Sequence, residues 1–146
     1  MNDAPTIHAS AVLIGPKAAL IRGPAGSGKS SLVWQLLTGA LPLGRLVADD
    51  RAVVEVVHGR LLVRPAPELA GLIEIRGLGV RRLPYEPVAV VGLVVDLAAA
   101  DAGRLPARET TRTTVDGVTL PRLAVAAGQP ALPLFIAILK ELPAAD

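Results

Sequence analysis

Short apolar runs separated by turn residues make up most of the chain, and this pattern predicts a fold rich in strands. Residues 7–14 and 18–21 flank a Gly-Pro pair and are predicted to form a hairpin. Residues 53–57 and 60–64 flank a His-Gly pair, which predicts a second hairpin. The threonine-rich segment 110–120 turns at an Asp-Gly pair and predicts a third, near a sheet edge.

Two further segments repeat apolar residues at helical spacing. The first covers residues 30–37 and is expected to end near Gly39, a good helix C-cap. The second covers residues 131–142, with Pro133 in its first turn. The residues expected to face the core are Leu32, Val33, Leu36 and Leu37 in the first helix, and Leu134, Ile138 and Leu142 in the second.

The run 88–96 is apolar at nearly every position, which predicts a central strand buried on both faces. Two helices are too few to cover both faces of a doubly wound sheet. We therefore predict an α/β fold that is mixed and strand-rich, with few helices. The length of 146 residues predicts a single domain over residues 1–146.

Composition excludes several classes of function. Aromatic residues make up 2% of the chain and the net charge is +2, so neither stacking on single-stranded bases nor a basic nucleic-acid surface is expected. The absence of cysteine excludes disulfides, cysteine-ligated zinc and thiol nucleophiles. The N-terminus lacks a signal-peptide pattern and no apolar run is long enough to span a bilayer, so we expect a cytoplasmic protein without membrane contact.

The strongest chemical signal is a phosphate-binding loop, G-x-x-x-x-G-K-[ST], between a short apolar run and the first helix. Its glycines allow successive backbone N–H groups to face an anion, Lys29 offers a positive charge to phosphates, and Ser30 offers a hydroxyl to Mg²⁺. The alternative is a chance glycine-rich turn, which the strand-loop-helix context disfavours. The residues of the loop are Gly23, Pro24, Ala25, Gly26, Ser27, Gly28, Lys29 and Ser30.

Three weaker signals leave alternatives open. Asp49 and Asp50 end a short strand, where such proteins hold Mg²⁺ or a base, but paired acids are also common in polar turns. His8 stands at a strand start, where a purely structural histidine is the favoured interpretation in the absence of other information. Arg76, between glycine-rich positions, is suited to a bidentate phosphate contact or to a solvated loop.

Taken in order, these pieces resemble the catalytic domain of HPr kinase/phosphorylase, the serine kinase of bacterial sugar phosphotransferase systems. The resemblance rests on His8 upstream of the loop 23–30, on Leu46-Val47-Ala48-Asp49-Asp50, and on 72–80, and it covers residues 8 to about 105. The most specific part is the signature loop, formed by Ile73, Glu74, Ile75, Arg76, Gly77, Leu78 and Gly79.

The resemblance implies a fold like that of phosphoenolpyruvate carboxykinase, with ATP and Mg²⁺ as cofactors. The loop 23–30 would bind ATP, and Ser30 and Glu74 would lie at Mg²⁺. Asp50 would take the proton from the target serine, and His8 would lie beside it. Lys29 would hold the phosphates, and Arg104 matches the family's later active-site arginine.

The same resemblance implies a partner: HPr, or its homologue in the nitrogen branch of the phosphotransferase system. It also implies a homo-oligomer and the truncated form that lacks an additional N-terminal domain. Reverse phosphorolysis would use protonated Asp50. The segment tied to that reaction is matched here only by residues 120–125, without the arginine that follows in the family.

Two alternatives to a protein kinase stay open. One is a kinase of the same fold that acts on a small molecule. The other is a nucleotide-binding regulatory module without transfer activity. The combination of His8, Asp50 and Glu74 favours a transfer enzyme, because a binding module needs no base beside the terminal phosphate.

Overall fold

The structure is a computed structural model, and it describes residues 5–39 and 44–140. Ten strands and two helices lie in the described residues, with short 3-10 turns at Pro67–Leu69 and Arg108–Thr111. Their bounds are β1 (Ala9–Ile14), β2 (Lys17–Arg22), α1 (Lys29–Thr38), β3 (Arg45–Ala48), β4 (Ala52–Val57), β5 (Arg60–Pro65), β6 (Leu72–Ile75), β7 (Gly79–Arg82), β8 (Ala89–Leu97), β9 (Arg112–Val115), β10 (Val118–Val125) and α2 (Ala131–Lys140).

The strands form one large mixed sheet and one small hairpin. The large sheet has the order β3-β1-β2-β8-β10-β9, and β5 pairs with the first part of β8 and with β4. The pairs β2·β8 and β8·β10 are parallel, and the pairs β1·β2 and β1·β3 are antiparallel. The hairpin β6·β7 forms a separate two-stranded sheet. The prediction of a mixed, strand-rich α/β fold with few helices is confirmed.

This topology collects five chain segments at one edge of the sheet. Strands β2, β8 and β10 end there because they run parallel, and β3 ends there because it is antiparallel to β1, which is antiparallel to β2. The start of β1 lies at the same edge, since Ala9 pairs with Arg22. The phosphate-loop sequence, the paired acids and His8 therefore meet at this edge.

Two apolar clusters cover the two faces of the central strands. On β2, Leu20 belongs to one cluster, and its neighbour Ile21 belongs to the cluster that contains α1 and α2. On β8, Val94 and Val95 divide in the same way. Successive side chains of a strand point to opposite faces, so a continuous apolar run is what burial on both faces requires.

Most predicted elements are present, with small shifts in their bounds. The three hairpins are confirmed as β1·β2, β4·β5 and β9·β10, and β9 lies at the sheet edge. The central strand is confirmed as β8. The first helix is confirmed, and the backbone N–H of Gly39 donates to Gln35 O at 3.0 Å, although Gly39 itself is extended.

Two details differ from the predictions. Strand β10 continues past residue 120 to Val125, because beyond Pro121 it leaves β9 and pairs with β8 instead. In α2 the fully buried side chain is Phe135, whereas Leu134 and Ile138 are only partly buried. Burying a phenylalanine stabilises a fold by about 2 kcal/mol, so Phe135 is the main anchor of α2. Leu142 lies outside the described residues.

In the described ranges, neither helix is long and apolar enough to cross a membrane.

Candidate active site

Backbone geometry shapes the loop 23–30, the predicted phosphate loop, between β2 and α1. Gly26 and Gly28 have φ of 81° and 100°, in the left-handed region that side chains disfavour. Ser27 N donates to Pro24 O at 3.0 Å, which closes the turn, and Leu32 N donates to Gly28 O at 3.0 Å, which begins the helical hydrogen bonding. The loop therefore ends at the N-terminus of a ten-residue helix, a favourable place for an anion.

Lys29 is held inside the curl of the loop. Its Nζ donates to Gly23 O at 2.8 Å and to Pro24 O at 3.3 Å, and the residue is only 6% exposed. Burial lowers the pKa of Lys29, against the opposing attraction of Asp50 and Asp49. A phosphate group at the loop would give this buried charge a partner.

Asp49 is the hydrogen-bonding centre of the site. Ser30 Oγ donates to Asp49 Oδ1 at 2.8 Å and Ser10 Oγ donates to the same oxygen at 2.9 Å. The backbone N–H of Glu74 donates to Asp49 Oδ2 at 3.2 Å. Asp49 is 6% exposed, so these donors supply the partners that a buried carboxylate requires. The residue thus joins the loop, β1 and the hairpin β6·β7.

Asp50 points outward beside His8. His8 Nε2 lies 2.6 Å from Asp50 Oδ1, and the Asp50 side chain is 58% exposed. Asp50 has φ of 68°, an uncommon conformation outside glycine, and its backbone N–H donates to Ser10 Oγ at 3.0 Å. This turn directs two consecutive carboxylates to different places: Asp49 into the protein and Asp50 to the surface beside the loop.

The signature segment is a hairpin whose first strand closes the site. Ile73 is buried in the cluster that contains α1 and so fixes β6 in place. Glu74, Ile75 and Arg76 line the site, with Glu74 and Arg76 exposed. Gly77 and Leu78 lie in the turn beyond it, and Gly79 begins β7.

A cavity of about 540 Å³ joins these parts. It therefore brings together most of the phosphate loop, the paired acids and the first half of the signature segment. It is lined by Ala25, Gly26, Gly28, Lys29, Ser30, Ser31, Trp34, Asp49, Asp50, Glu74, Ile75 and Arg76.

The structure places some of the predicted site residues elsewhere. Arg104 is exposed in the loop between β8 and β9 and does not line the cavity. Gly23 and Pro24 contribute carbonyl groups to Lys29 rather than surface to the cavity. Ser27 faces a second, smaller cavity on the other side of the loop.

Sequence reasoning missed two residues and ranked one too low. Ser10 is fully buried and bridges Asp49 and the backbone of Asp50, and its only signal in the sequence is that it is the one polar side chain of β1. Trp34 lines the cavity from α1. The paired acids were visible in the sequence, yet only the structure shows that Asp49 carries the contact to Ser30.

An ion-pair network holds the loop that carries Arg104. Asp96, at the end of β8, accepts hydrogen bonds from Arg22 at 2.7 Å and from Arg122 at 2.6 Å. Arg122 also donates to Asp101 at 2.8 Å and to Thr110 O at 3.0 Å. Burial alone would raise the pKa of Asp96, but the hydrogen bonds from Arg22 and Arg122 outweigh it and lower that pKa.

No family model matches the chain. Among curated proteins, the HPr kinase/phosphorylases of Xanthomonas campestris pv. campestris (strain B100) and Xylella fastidiosa (strain M12) are each 42% identical to it over 76 residues. The matched residues are 51% of this chain and only 23% of each relative's length.

The fold comparison extends over nearly the whole chain. The structure of the Hpr(Ser) kinase/phosphatase from Coxiella burnetii superposes with a TM-score of 0.71 at 25% identity. The match covers 92% of this chain and 93% of that one. In sequence over about half of its length and in fold over nearly all of it, the chain is similar to HPr kinases.

Proposed function

We propose that this protein transfers a phosphoryl group from ATP to a serine of HPr or of an HPr homologue in the nitrogen branch of a bacterial phosphotransferase system. The observation that carries the proposal is the juxtaposition of a phosphate loop with an exposed carboxylate, Asp50, at one cavity. Phosphoryl transfer needs a site for the phosphates and a base beside the acceptor, and this edge of the sheet offers both. The likeness to HPr kinases in sequence and fold supports the choice of reaction.

The residues present fit a magnesium-bound nucleotide. Mg²⁺ uses few protein ligands and keeps waters and substrate phosphates in its shell. Ser30 Oγ and the carboxylate of Asp49 are 2.8 Å apart below the loop, and Glu74 lines the same cavity. Ser30 and Asp49 would hold the ion, with Glu74 nearby, and the ion would neutralise phosphate charge.

Asp50 is the proposed base for the acceptor serine. Its carboxylate accepts the hydroxyl proton as the serine oxygen attacks, and His8 holds the carboxylate in place through the 2.6 Å contact. Exposure of the Asp50 side chain suits an acceptor carried on the surface of another protein. Arg76, exposed at the rim of the cavity, is placed to contact phosphate or the partner.

The forward reaction is the better supported direction. Arg122, in the segment that matches the family's dephosphorylation region, is 12% exposed and bound to Asp96 and Asp101. Because its guanidinium is engaged in these ion pairs, Arg122 has a structural role among the described residues. A homo-oligomer, which the resemblance implies, and the cytoplasmic setting expected from the sequence stay part of this proposal.

The test is direct. The protein is mixed with Mg-ATP and the HPr of the same organism, and the intact mass of HPr is measured. One added phosphate, absent when the acceptor serine of HPr is replaced by alanine, supports the proposal. Inorganic phosphate added afterwards tests phosphorolysis as a loss of that mass. Nucleotide binding without any added phosphate on HPr or its nitrogen-branch homologue would contradict the protein-kinase assignment and favour a small-molecule acceptor or a nucleotide sensor.

A further inference from the structure

A second cavity of about 220 Å³ lies on the other side of the phosphate loop from the acids. Gly28 and Ser31 line both cavities, so only the loop and the start of α1 separate them. The far wall comes from the segments that follow β8 and β10 and from the beginning of α2. These residues include Leu97, Ala98, Val125, Ala126, Gln129 and Pro130.

The position of this cavity follows from the strand order. The loop follows β2, with β1 and β3 on one side and β8 and β10 on the other. The acids at the end of β3 and His8 at the start of β1 occupy the first side. In sheets with parallel strands, ligands bind beyond the carboxyl ends of those strands, and here β2, β8 and β10 end together. A phosphate chain whose reacting end faces Asp50 therefore has its other end on the β8 and β10 side.

The lining of the second cavity suits an uncharged heterocycle rather than a phosphate. None of its lining residues is ionisable, and Leu32, Leu97, Val125 and Pro130 give it apolar walls. Ser31, Gln35 and Gln129 add polar groups that can meet the edge of a base. Gln129 Oε1 already accepts a hydrogen bond from Ala126 N at 3.2 Å, which leaves its amide N–H groups to donate.

A buried hydroxyl at the loop strengthens the case. Ser27 Oγ is buried and has no hydrogen-bond partner among the described residues. A Cβ placed on Gly23 would come within 2.5 Å of this oxygen and 3.1 Å of Leu97, so the hydroxyl lies on the side of the loop that faces the end of β8. A buried polar group without a partner is costly, and a ligand that supplies a hydrogen bond would remove that cost.

We propose that the second cavity is the nucleoside subsite: it binds the base and ribose end of ATP, while the phosphates lie on the loop and point towards Asp50. This proposal rests on the proposed function, because it assumes a nucleotide donor. The competing place for the base is Trp34, whose ring lines the larger cavity.

Photolabelling distinguishes the two places without any variant. The protein is irradiated with 8-azido-ATP and Mg²⁺, digested with trypsin, and the labelled peptides are sequenced. Label in the tryptic peptides 83–104 or 123–140, which together contain the far wall of the second cavity and no residue of the larger one, is the expected result. Its absence from both peptides, with label elsewhere that excess ATP removes, overturns the proposal. Failure of ATP to bind at all overturns both this proposal and the proposed function.

A variant that fills part of the second cavity provides the second measurement. Ala126→Leu narrows the second cavity alone, so we expect its affinity for Mg-ATP to fall about tenfold or more, the usual scale for a misfit in a pocket. Its affinity for inorganic tripolyphosphate, which needs only the loop, is expected to stay unchanged. Ala107→Leu is the matched control, since Ala107 is exposed and lines neither cavity.

The two ligands also separate the possible failures. Equal losses of affinity for Mg-ATP and tripolyphosphate in Ala126→Leu would mean that the substitution disturbed the loop. In that case Gln129→Ala, which adds no volume, is measured with the same two ligands. An unchanged preference of this variant for ATP over tripolyphosphate overturns the nucleoside subsite. Wild-type protein that binds the two ligands equally well overturns the subsite while leaving the phosphate loop in place.

Discussion

His8 Nε2 lies 2.6 Å from Asp50 Oδ1, which joins the residue before β1 to the turn after β3. The contact depends on β1 pairing with both β2 and β3, because that pairing brings the start of one strand beside the end of another. It gives the exposed carboxylate a fixed orientation beside the phosphate loop. Substitution of the carboxylate is therefore expected to abolish phosphoryl transfer, whereas substitution of the histidine that orients it is expected only to slow transfer.

Replacing Asp50 by asparagine should abolish transfer to serine while nucleotide binding persists. The amide cannot accept the serine proton, and loss of a general base costs about 10²–10⁴-fold in rate. Single-turnover transfer and Mg-ATP affinity are the measurements. Asp116→Asn is the matched control, because Asp116 also has positive φ but lies in the β9·β10 turn. Intact transfer in the Asp50 variant would exclude it as the base.

Replacing His8 by alanine should slow transfer by about tenfold, because the carboxylate of Asp50 loses its positioning contact. The effect should appear in kcat, with Mg-ATP affinity unchanged. The chain has 2 histidines, and His58→Ala is the control because His58 lies in the exposed β4·β5 turn. Equal effects of the two substitutions would remove His8 from the site.

Because Lys29 is buried, we predict that nucleotide binding weakens at alkaline pH. Burial lowers its pKa in the free protein, and a bound phosphate favours the charged form. Affinity for Mg-ATP should therefore be full below this lowered pKa and fall as the pH rises through it, earlier than an exposed lysine would allow. Calorimetric titrations from neutral to alkaline pH measure the effect.

Two variants complete this experiment. Lys29→Arg keeps its charge over the whole range, so any remaining binding should lose the alkaline fall. Lys29→Ala should abolish nucleotide-dependent transfer, whereas Lys140→Ala, at the exposed end of α2, should not. Normal turnover of Lys29→Ala would contradict the phosphate-loop assignment.

Asp96→Asn should lower the free energy of unfolding by about 3 kcal/mol at neutral pH, because it removes the carboxylate that pairs with both Arg22 and Arg122 and leaves the buried guanidinium of Arg122 only the exposed Asp101 as an acidic partner. The pKa of Asp96 is lowered in the folded state, so its contribution is present above the ordinary aspartate pKa and is lost as the pH falls through the lower value. Urea unfolding of both proteins should give converging stabilities in acid. Asp101→Asn, at an exposed carboxylate of the same network, should have a much smaller effect. A difference that persists undiminished in acid would contradict this account.

Arg104→Ala should lower transfer with little effect on stability, because Arg104 is exposed in its loop and would act only when a partner or nucleotide is bound. The measurements are the transfer rate to HPr and the thermal midpoint, and Arg108→Ala is the control from the same loop region. An unfolded variant would point to a structural role instead. Unchanged transfer would exclude a role for Arg104 in the reaction, in agreement with its place outside the cavity.

Local patterns in the sequence were sufficient to predict the curled loop before α1, the three hairpins, the central strand β8 and the helix α1. Each depends on residues close together in the chain: the curl of Gly26 and Gly28, turn pairs between apolar runs, and the spacing of Leu32 and Leu36. The prediction for α2 was less accurate. Its stripe of leucines and isoleucine fitted the helical period, but Phe135 is the side chain that the neighbouring elements enclose.

Tertiary structure decided how these pieces meet. The sequence showed paired acids, but only the positive φ of Asp50 and the hydrogen bonds of Ser10 and Ser30 separate a buried Asp49 from an exposed Asp50. The switch of β10 from β9 to β8 at Pro121 was likewise not predicted, and it brings Val125 at the end of β10 to the wall of the second cavity. Contacts between residues far apart in the chain depend on strand order and register, which are set by the packing of the whole sheet rather than by any one segment.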